Sequence, residues 1–245
     1  MNSTVELLLQ HRSIRKFEDR PVPDETLRVL VQCGQAAATS SNVQAVTAIH
    51  VTKPEARAEL AALAGGQRYV TTAGAFLVYC ADLRRPMNAC VSQGGQFSEG
   101  MMEHFLIASI DVALAAQNTV VAAESLGLGI CYIGGLRNNP VEVSKLLELP
   151  QQVYPVFGLC LGYPDQDPDV KPRLPVDAVL MKDVYDESSQ EQLLNQYDDQ
   201  VRHYYKTRTG GKKDSSWSEE MKALVGKESR PHMKSFLASQ GFAIK

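Results

Sequence analysis

Between Met101 and Leu126 this 245-residue chain carries its longest helical pattern, and any fold it adopts must accommodate that helix. The stretch is apolar around most of its circumference, which predicts burial on all sides. A helix of that kind sits either at the heart of a domain or in a subunit interface. The wider apolar run, Phe105 to Ile133, is interrupted by Asp111, Gln117, Asn118 and Glu124, which argues against a membrane span.

Shorter elements surround it. Val5 to Gln10 reads as a helix with Thr4 as its N-cap, and Pro23-Asp24-Glu25 opens another. In the second, Leu27, Leu30 and Val31 share one face. Residues 36 to 44 turn small and polar, the pattern of a loop rich in hydroxyl and amide donors. Val46 to Val51 and Ala75 to Ala81 read as strands, the second apolar enough to be central in a sheet. Pro54 to Leu63 is a predicted helix stopped by Gly65-Gly66. A glycine-rich turn and strand follow at Gly127 to Gly135, then a helix at Val141 to Leu147 and a core strand at Val153 to Gly162. Beyond Pro164 the chain becomes polar and proline-rich. Polar helices are predicted over 186–235 around Gly210-Gly211, and Gly241 to Lys245 has strand character. The elements do not alternate as a regular βαβ series. Gly127-Leu128-Gly129 also lacks the context of a dinucleotide-binding turn, because a helix precedes it. The pattern predicts an α+β sandwich, with residues 1–245 forming one domain that carries a polar excursion at about 186–235.

Composition narrows the function classes. The chain is 44% hydrophobic and 22% charged with a net charge of −3, which gives no general attraction to nucleic acid or an anionic membrane. The charge is uneven: residues 201–245 hold ten Lys and Arg against four Asp and Glu, suggesting a local anion site. Cys33, Cys80, Cys90, Cys131 and Cys160 are widely spaced, several inside apolar runs, as expected of free thiols in a reducing compartment. The histidines show no metal-ligand spacing, and the first 20 residues do not resemble a signal peptide. The chain therefore reads as cytoplasmic.

Three clusters carry chemistry. His11-Arg12-Ser13-Ile14-Arg15 offers two guanidinium forks and a hydroxyl, a compact donor set for a dianionic phosphate. Thr39-Ser40-Ser41-Asn42-Val43-Gln44 and Gly65-Gly66-Gln67 add hydroxyl and amide groups. Tyr132-Ile133-Gly134-Gly135-Leu136-Arg137 lets backbone approach a ligand without an intervening Cβ, with Lys171-Pro172-Arg173 downstream. A flavin mononucleotide needs groups of each kind: a cationic phosphate cradle, amides along the pyrimidine edge, and close backbone at the reacting nitrogen. On the residues alone His11 is equally well a cap or packing residue, Lys212-Lys213 a solvated pair, and Cys131 a core thiol.

These motifs, together with Ala116-Gln117-Asn118, residues 123–129, Lys171 to Pro175, Tyr204-Tyr205 to Arg208 and Lys227 to Pro231, resemble the nitroreductase superfamily. Within it they are most similar to the oxygen-insensitive, NADPH-dependent nitroreductase/flavin reductase group A. The resemblance implies a three-layer sandwich with a mostly antiparallel sheet flanked by helices, in an FMN-containing homodimer whose C-terminal tail is exchanged with the partner subunit. It assigns the ribityl phosphate to His11, Arg12, Ser13, Arg15 and Arg173, and the ring's polar edge to Gln67 and Lys171. Tyr132, Ile133, Gly134 and Gly135 would face the ring by their backbone, Gly134 nearest N5, and Ser40 and Ser41 would reach the cofactor of the opposite subunit. Position 39 is Thr where relatives can carry Ser, and the hydroxyl is kept. The implied reaction is a ping-pong hydride transfer from NADPH to nitroaromatics, quinones or free flavin. No residue acts as acid or base, and Lys171 serves as an electrostatic stabiliser. Arg208, Lys212, Lys213 and Arg230 fall on the NADPH and substrate side, Arg208 being the best match for the 2′-phosphate. Two other functions fit the resemblance less closely: a flavin-binding sensor without turnover, and another chemistry of the superfamily such as reductive dehalogenation.

Overall fold

The structure, a computed structural model, describes residues 2–243 and 245. Its helices and strands run α1 (Ser3–Leu9), α2 (Asp24–Gln35), β1 (Val46–His50), α3 (Pro54–Leu63), α4 (Tyr69–Thr72), β2 (Ala75–Asp82), α5 (Arg84–Ser92) and α6 (Met102–Ser125). There follow β3 (Gly129–Ile133), α7 (Pro140–Leu146), β4 (Val153–Gly162), α8 (Gln190–Thr209), α9 (Trp217–Val225) and α10 (Met233–Ser239). The chain divides into two compact units, Met1–Asp167 with His232–Lys245, and Pro168–Pro231.

The first unit is built on an antiparallel sheet of order β1-β2-β4-β3. Side chains alternate across a pleated strand, and here the alternation makes two cores. Leu77, Tyr79 and Ala81 of β2 join Ile130, Leu159 and Leu161 against Leu27 and Leu30 of α2 and Val112 and Val120 of α6. Phe76, Val78 and Cys80 point the other way, with Cys131, Ile133 and Cys160, onto Leu60 of α3, Val70 of α4 and Val143 of α7. Because both faces are covered, every residue of β2 is buried, which is why its sequence reads as a continuous apolar run.

Several details depart from the sequence expectation. The first helix is capped by Asn2, whose Oδ1 accepts the Val5 N–H at 3.0 Å, while Thr4 lies within the first turn. Helix α5 is a further element; its first turn is held by Asp82, whose Oδ1 accepts from Arg84 and Arg85 at 3.0 and 3.3 Å. Helix α6 is not buried on all sides. It is long and apolar enough to span a bilayer by length and composition, yet it lies along one face of the sheet and packs on α2 and all four strands. Its other side keeps Met102, Leu106, Ile110 and Leu114 exposed at a spacing of four. The tail forms no strand among the described residues. Phe242 is buried, and Lys245 exchanges backbone hydrogen bonds with Gly100 and Met102 of its own chain, both 2.9 Å; Ile244 lies outside the described residues.

The second unit, Pro168–Pro231, overlaps the polar excursion expected at about 186–235 but starts earlier and ends before it, residues 232–235 belonging to the first unit. Its small core is Tyr197, Val201, Tyr204 and Tyr205 of α8, with Leu174 and Trp217. A capping box starts α9: Ser216 and Glu219 satisfy each other's backbone N–H. Gly210 ends α8 in the left-handed conformation, φ +58°.

Candidate functional site

In the first unit the His11–Arg15 segment lies against β3. The Ile14 N–H donates to Ile130 O at 2.8 Å and Ser13 bridges Ile130 in parallel. A Cβ on Gly129 would stand 2.6 Å from Ile14 Cγ1, so only glycine lets the two backbones approach this closely. Ile14 is buried in the core and thereby anchors its neighbours. Arg15 is exposed and Ser13 half-buried, both at the surface of the anchored segment.

The other members of the cluster are partly engaged. His11 Nδ1 is 2.7 Å from Glu124 Oε1. Arg12 pairs with Asp167 at 2.5 Å and donates to Gln10 O at 3.3 Å. With Glu124, Asp165 and Gly127, Arg12 lines a cavity of about 680 Å³.

Gly65 and Gly66, φ +89° and +77°, turn the chain back over the end of α3, and the N–H groups of Gly66 and Gln67 both donate to Ala61 O. That turn presents the Gln67 carboxamide. Its Nε2 donates to Ala64 O at 2.8 Å and its Oε1 accepts from the Tyr69 hydroxyl at 2.6 Å. The turn after β3 packs on the same group: a Cβ on Gly135 would stand 2.3 Å from Ala64 O and 2.5 Å from Gln67 Nε2. Ile133 is a core residue, and the Tyr132 phenol is pushed up by burial, with Tyr79 and Glu124 adding to the rise. Cys131 is likewise raised by burial and stays a thiol.

Ser40 and Ser41 lie in a short 3₁₀ turn, Ser40–Asn42, with Ser41, Asn42 and Gln44 all at positive φ (46°, 58° and 55°). Such geometry is costly for residues with a Cβ and persists only where the surroundings impose it. Here the agent is Asp111 of α6, fully buried, whose two oxygens accept the N–H groups of Ser40 (3.2 Å) and Ala45 (3.0 Å). In the sequence Asp111 reads only as an interruption of an apolar helix. An acid in that position, needing donors inside the protein, is the signal it carries.

In the second unit Lys171 Nζ donates to Tyr205 Oη at 2.7 Å, and that hydroxyl donates to Glu220 Oε2 at 3.0 Å. Lys213 pairs with Glu220 and lies 3.6 Å from the Tyr205 ring centroid. Burial opposes ionisation of Glu220, but Lys213, Tyr205 and Lys171 together hold it below the ordinary carboxylate value. Arg173 donates to Lys171 O at 2.8 Å, and Arg208 to Tyr204 Oη at 2.9 Å. Lys212 is exposed, and Arg230 has φ +52°. Tyr69, Asp111, Glu124, Tyr205 and Glu220 thus support the predicted residues; the sequence marks Asp111 and Glu124 as interruptions of an apolar run and holds Glu124 and Tyr205 within the motifs of the resemblance, but it gives none of the five this supporting role.

The antiparallel sheet with helices on both faces makes this an α+β protein, and comparison with known proteins gives the family. The nitroreductase family profile matches residues 8–163, and that of the nitroreductase family C-terminal domain matches residues 171–245. The chain belongs to the nitroreductase family. It is 44% identical over 243 residues to the NADPH-flavin oxidoreductase of Vibrio harveyi, covering 99% of each chain. Against the oxygen-insensitive NADPH nitroreductase of Salmonella typhimurium it is 41% identical over 245 residues, with full coverage of both. Among solved structures, NfrA1 of B. megaterium superposes with a TM-score of 0.96 at 45% identity, covering 99% of this chain and 100% of the other. The V. harveyi NADPH:FMN oxidoreductase complexed with NAD+ gives 0.91 at 41% identity, with 100% coverage of both chains.

Proposed function

We propose that the chain is an FMN-dependent oxidoreductase that takes hydride from NADPH by a ping-pong mechanism and delivers it to nitroaromatics, quinones or free flavin. The observation that carries this reading is the convergence, within the first unit, of three motifs distant in sequence. His11–Arg15 is held on β3, Gln67 is presented by Gly65-Gly66, and the Gly134-Gly135 turn packs on Gln67. Full-length relatives named for NADPH and flavin chemistry support it.

The donors fit a flavin mononucleotide. Ser13 and Arg15, anchored through Ile14, suit a dianionic phosphate. A Cβ at Gly134 would stand 3.4 Å from the Arg137 guanidinium, at the near limit of ordinary contact, and the approach of this backbone to a planar ring rests on the family resemblance. Bound FMN supplies the hydride-accepting and hydride-donating ring, so the protein needs neither a nucleophile nor a general acid or base.

The chain's own residues then bind and orient. His11 adds a donor at Nε2 only as imidazolium when its Nδ1–H serves Glu124. Arg12 joins the phosphate by exchanging Asp167 for it. Tyr132 to Gly135 line the ring with backbone, and Gln67 reads its polar edge. For Lys171 at the ring and Arg173 at the phosphate, the assignment rests on the family resemblance alone. The same holds for Arg208 at the NADPH 2′-phosphate, with Lys212, Lys213 and Arg230 beside it.

A homodimer in which Ser40 and Ser41 serve the opposite subunit's cofactor accords with the exposed apolar side of α6. It also accords with α1, a helix that packs on α6 yet buries none of its own residues. Five free cysteines accord with a reducing cytoplasm.

Purified protein is expected to show a flavin absorption band near ~450 nm, a property of the cofactor, and to oxidise NADPH with turnover. A colourless protein that takes up no added FMN overturns the reading. Arg208→Ala should raise KM for NADPH about tenfold or more, the loss of a charge-assisted hydrogen bond, with little change for NADH. Equal rises for the two nucleotides remove Arg208 from the 2′-phosphate.

A further inference from the structure

We infer that Tyr69 is a positioning residue of the flavin site: its hydroxyl fixes the Gln67 carboxamide and so determines what Gln67 can offer a bound ring. The inference rests on the reading that Gln67 meets the flavin's polar edge, and deepens it.

A free glutamine amide can present either its oxygen or its NH₂ to a ligand, and rotates between the two at little cost. Here both ends are committed. Nε2 spends one N–H on Ala64 O at 2.8 Å, and a carbonyl there tolerates only the NH₂ end. Oε1 receives the Tyr69 hydroxyl at 2.6 Å. One N–H and one carbonyl lone pair remain, in fixed directions. The backbone beneath cannot relax, since Gly66 and Gln67 share Ala61 O as acceptor and the Gly135 turn closes over the amide.

The phenol is suited to this task. Donation to Gln67 requires an intact O–H. Burial, the largest influence, raises the Tyr69 pKa above its ordinary value of 10.0, and Cys131 adds to the rise. The neighbouring Arg15 guanidinium opposes that rise without reversing it. The ring packs against the core beside Val70, so the hydroxyl is delivered from a fixed base. Tyr69 therefore stands between two residues read as cofactor ligands, Gln67 and Arg15. Nothing in the local sequence Gly66-Gln67-Arg68-Tyr69 announces this, because the contact depends on the turn into α4.

The test compares Tyr69→Phe, Gln67→Ala and the double variant as FMN-loaded protein. The readouts are the FMN dissociation constant and the position of the bound flavin's visible bands. Phe keeps the ring and its packing, so folding is expected to be retained and is checked by circular dichroism. Loss of one buried hydrogen bond is worth about fivefold to tenfold in affinity. Y69F should weaken FMN by that factor and shift the bands, whereas the double variant should be no worse than Q67A. Wild-type affinity and spectrum in Y69F overturn the inference. So does a Y69F penalty that adds in full to that of Q67A, because Tyr69 would then act independently of the amide. If Q67A itself leaves affinity and spectrum unchanged, the assignment of Gln67 to the flavin fails, and the inference fails with it.

Discussion

Arg12 and Arg15 are three residues apart but stand in different electrostatic surroundings. Arg12 already has a carboxylate, Asp167, at 2.5 Å, so a phosphate arriving there must displace an existing ion pair. Arg15 is exposed beside Tyr69, and carries its charge on the segment that Ile14 anchors to β3. A charge-assisted hydrogen bond is worth about 1.5–3 kcal/mol. Arg15→Ala is therefore expected to weaken FMN retention by about tenfold to a hundredfold, measured as cofactor released on dilution. Arg12→Ala should cost less, since it removes a ligand that must first give up Asp167. The reverse order would place Arg12, and not Arg15, at the phosphate. A general loss of stability in both variants is separated from this by their melting temperatures with FMN in excess.

At the scale of elements, the supporting residues matter as much as the predicted ligands. The turn carrying Ser40 and Ser41 has three non-glycine residues at positive φ, and Asp111 of α6 holds it through two backbone N–H groups. Asp111→Asn keeps one acceptor and turns the other into a donor facing an N–H. The expected cost is about 1–3 kcal/mol for an unsatisfied buried group. In a chain of this size that lowers Tm by about 2–4 °C per kcal/mol, and FMN affinity should fall with the order of the turn. An unchanged Tm would show that the turn keeps its shape without the carboxylate. The strands and long helices are legible in the sequence because burial on both sheet faces gives β2 and β4 continuous apolar runs. The glycines that stop α3 and open the turn after β3 are legible for a similar local reason. Tyr69 and Asp111 are not, since their roles are set by contacts across turns and between elements that no local pattern encodes. The full extent of α6 is legible, but not its half-exposure, because an apolar circumference does not say which side another chain covers.

For the whole molecule, that exposed side is the feature a single chain leaves unexplained. Met102, Leu106, Ile110 and Leu114 form a stripe along α6, and α1 adds exposed Val5, Leu8 and Leu9. Contiguous apolar surface of this kind is disfavoured in a monomer and marks a contact face. A second copy is the natural occupant on the proposed reading, which also brings Ser40 and Ser41 to the opposite cofactor. Ile110, 54% exposed in the single chain, can carry a charge without disturbing the core beneath it. Ile110→Lys should thus leave the circular dichroism spectrum unchanged while placing two like charges on paired helices, a desolvation cost an interface cannot absorb. Light scattering should then report a monomer, and FMN retention should fall along with dimer content as protein is diluted. A variant that stays dimeric removes this stripe from the interface. A monomer that holds FMN as tightly as the parent protein means that each subunit completes its own site, and the role of Ser40 and Ser41 across the interface is lost.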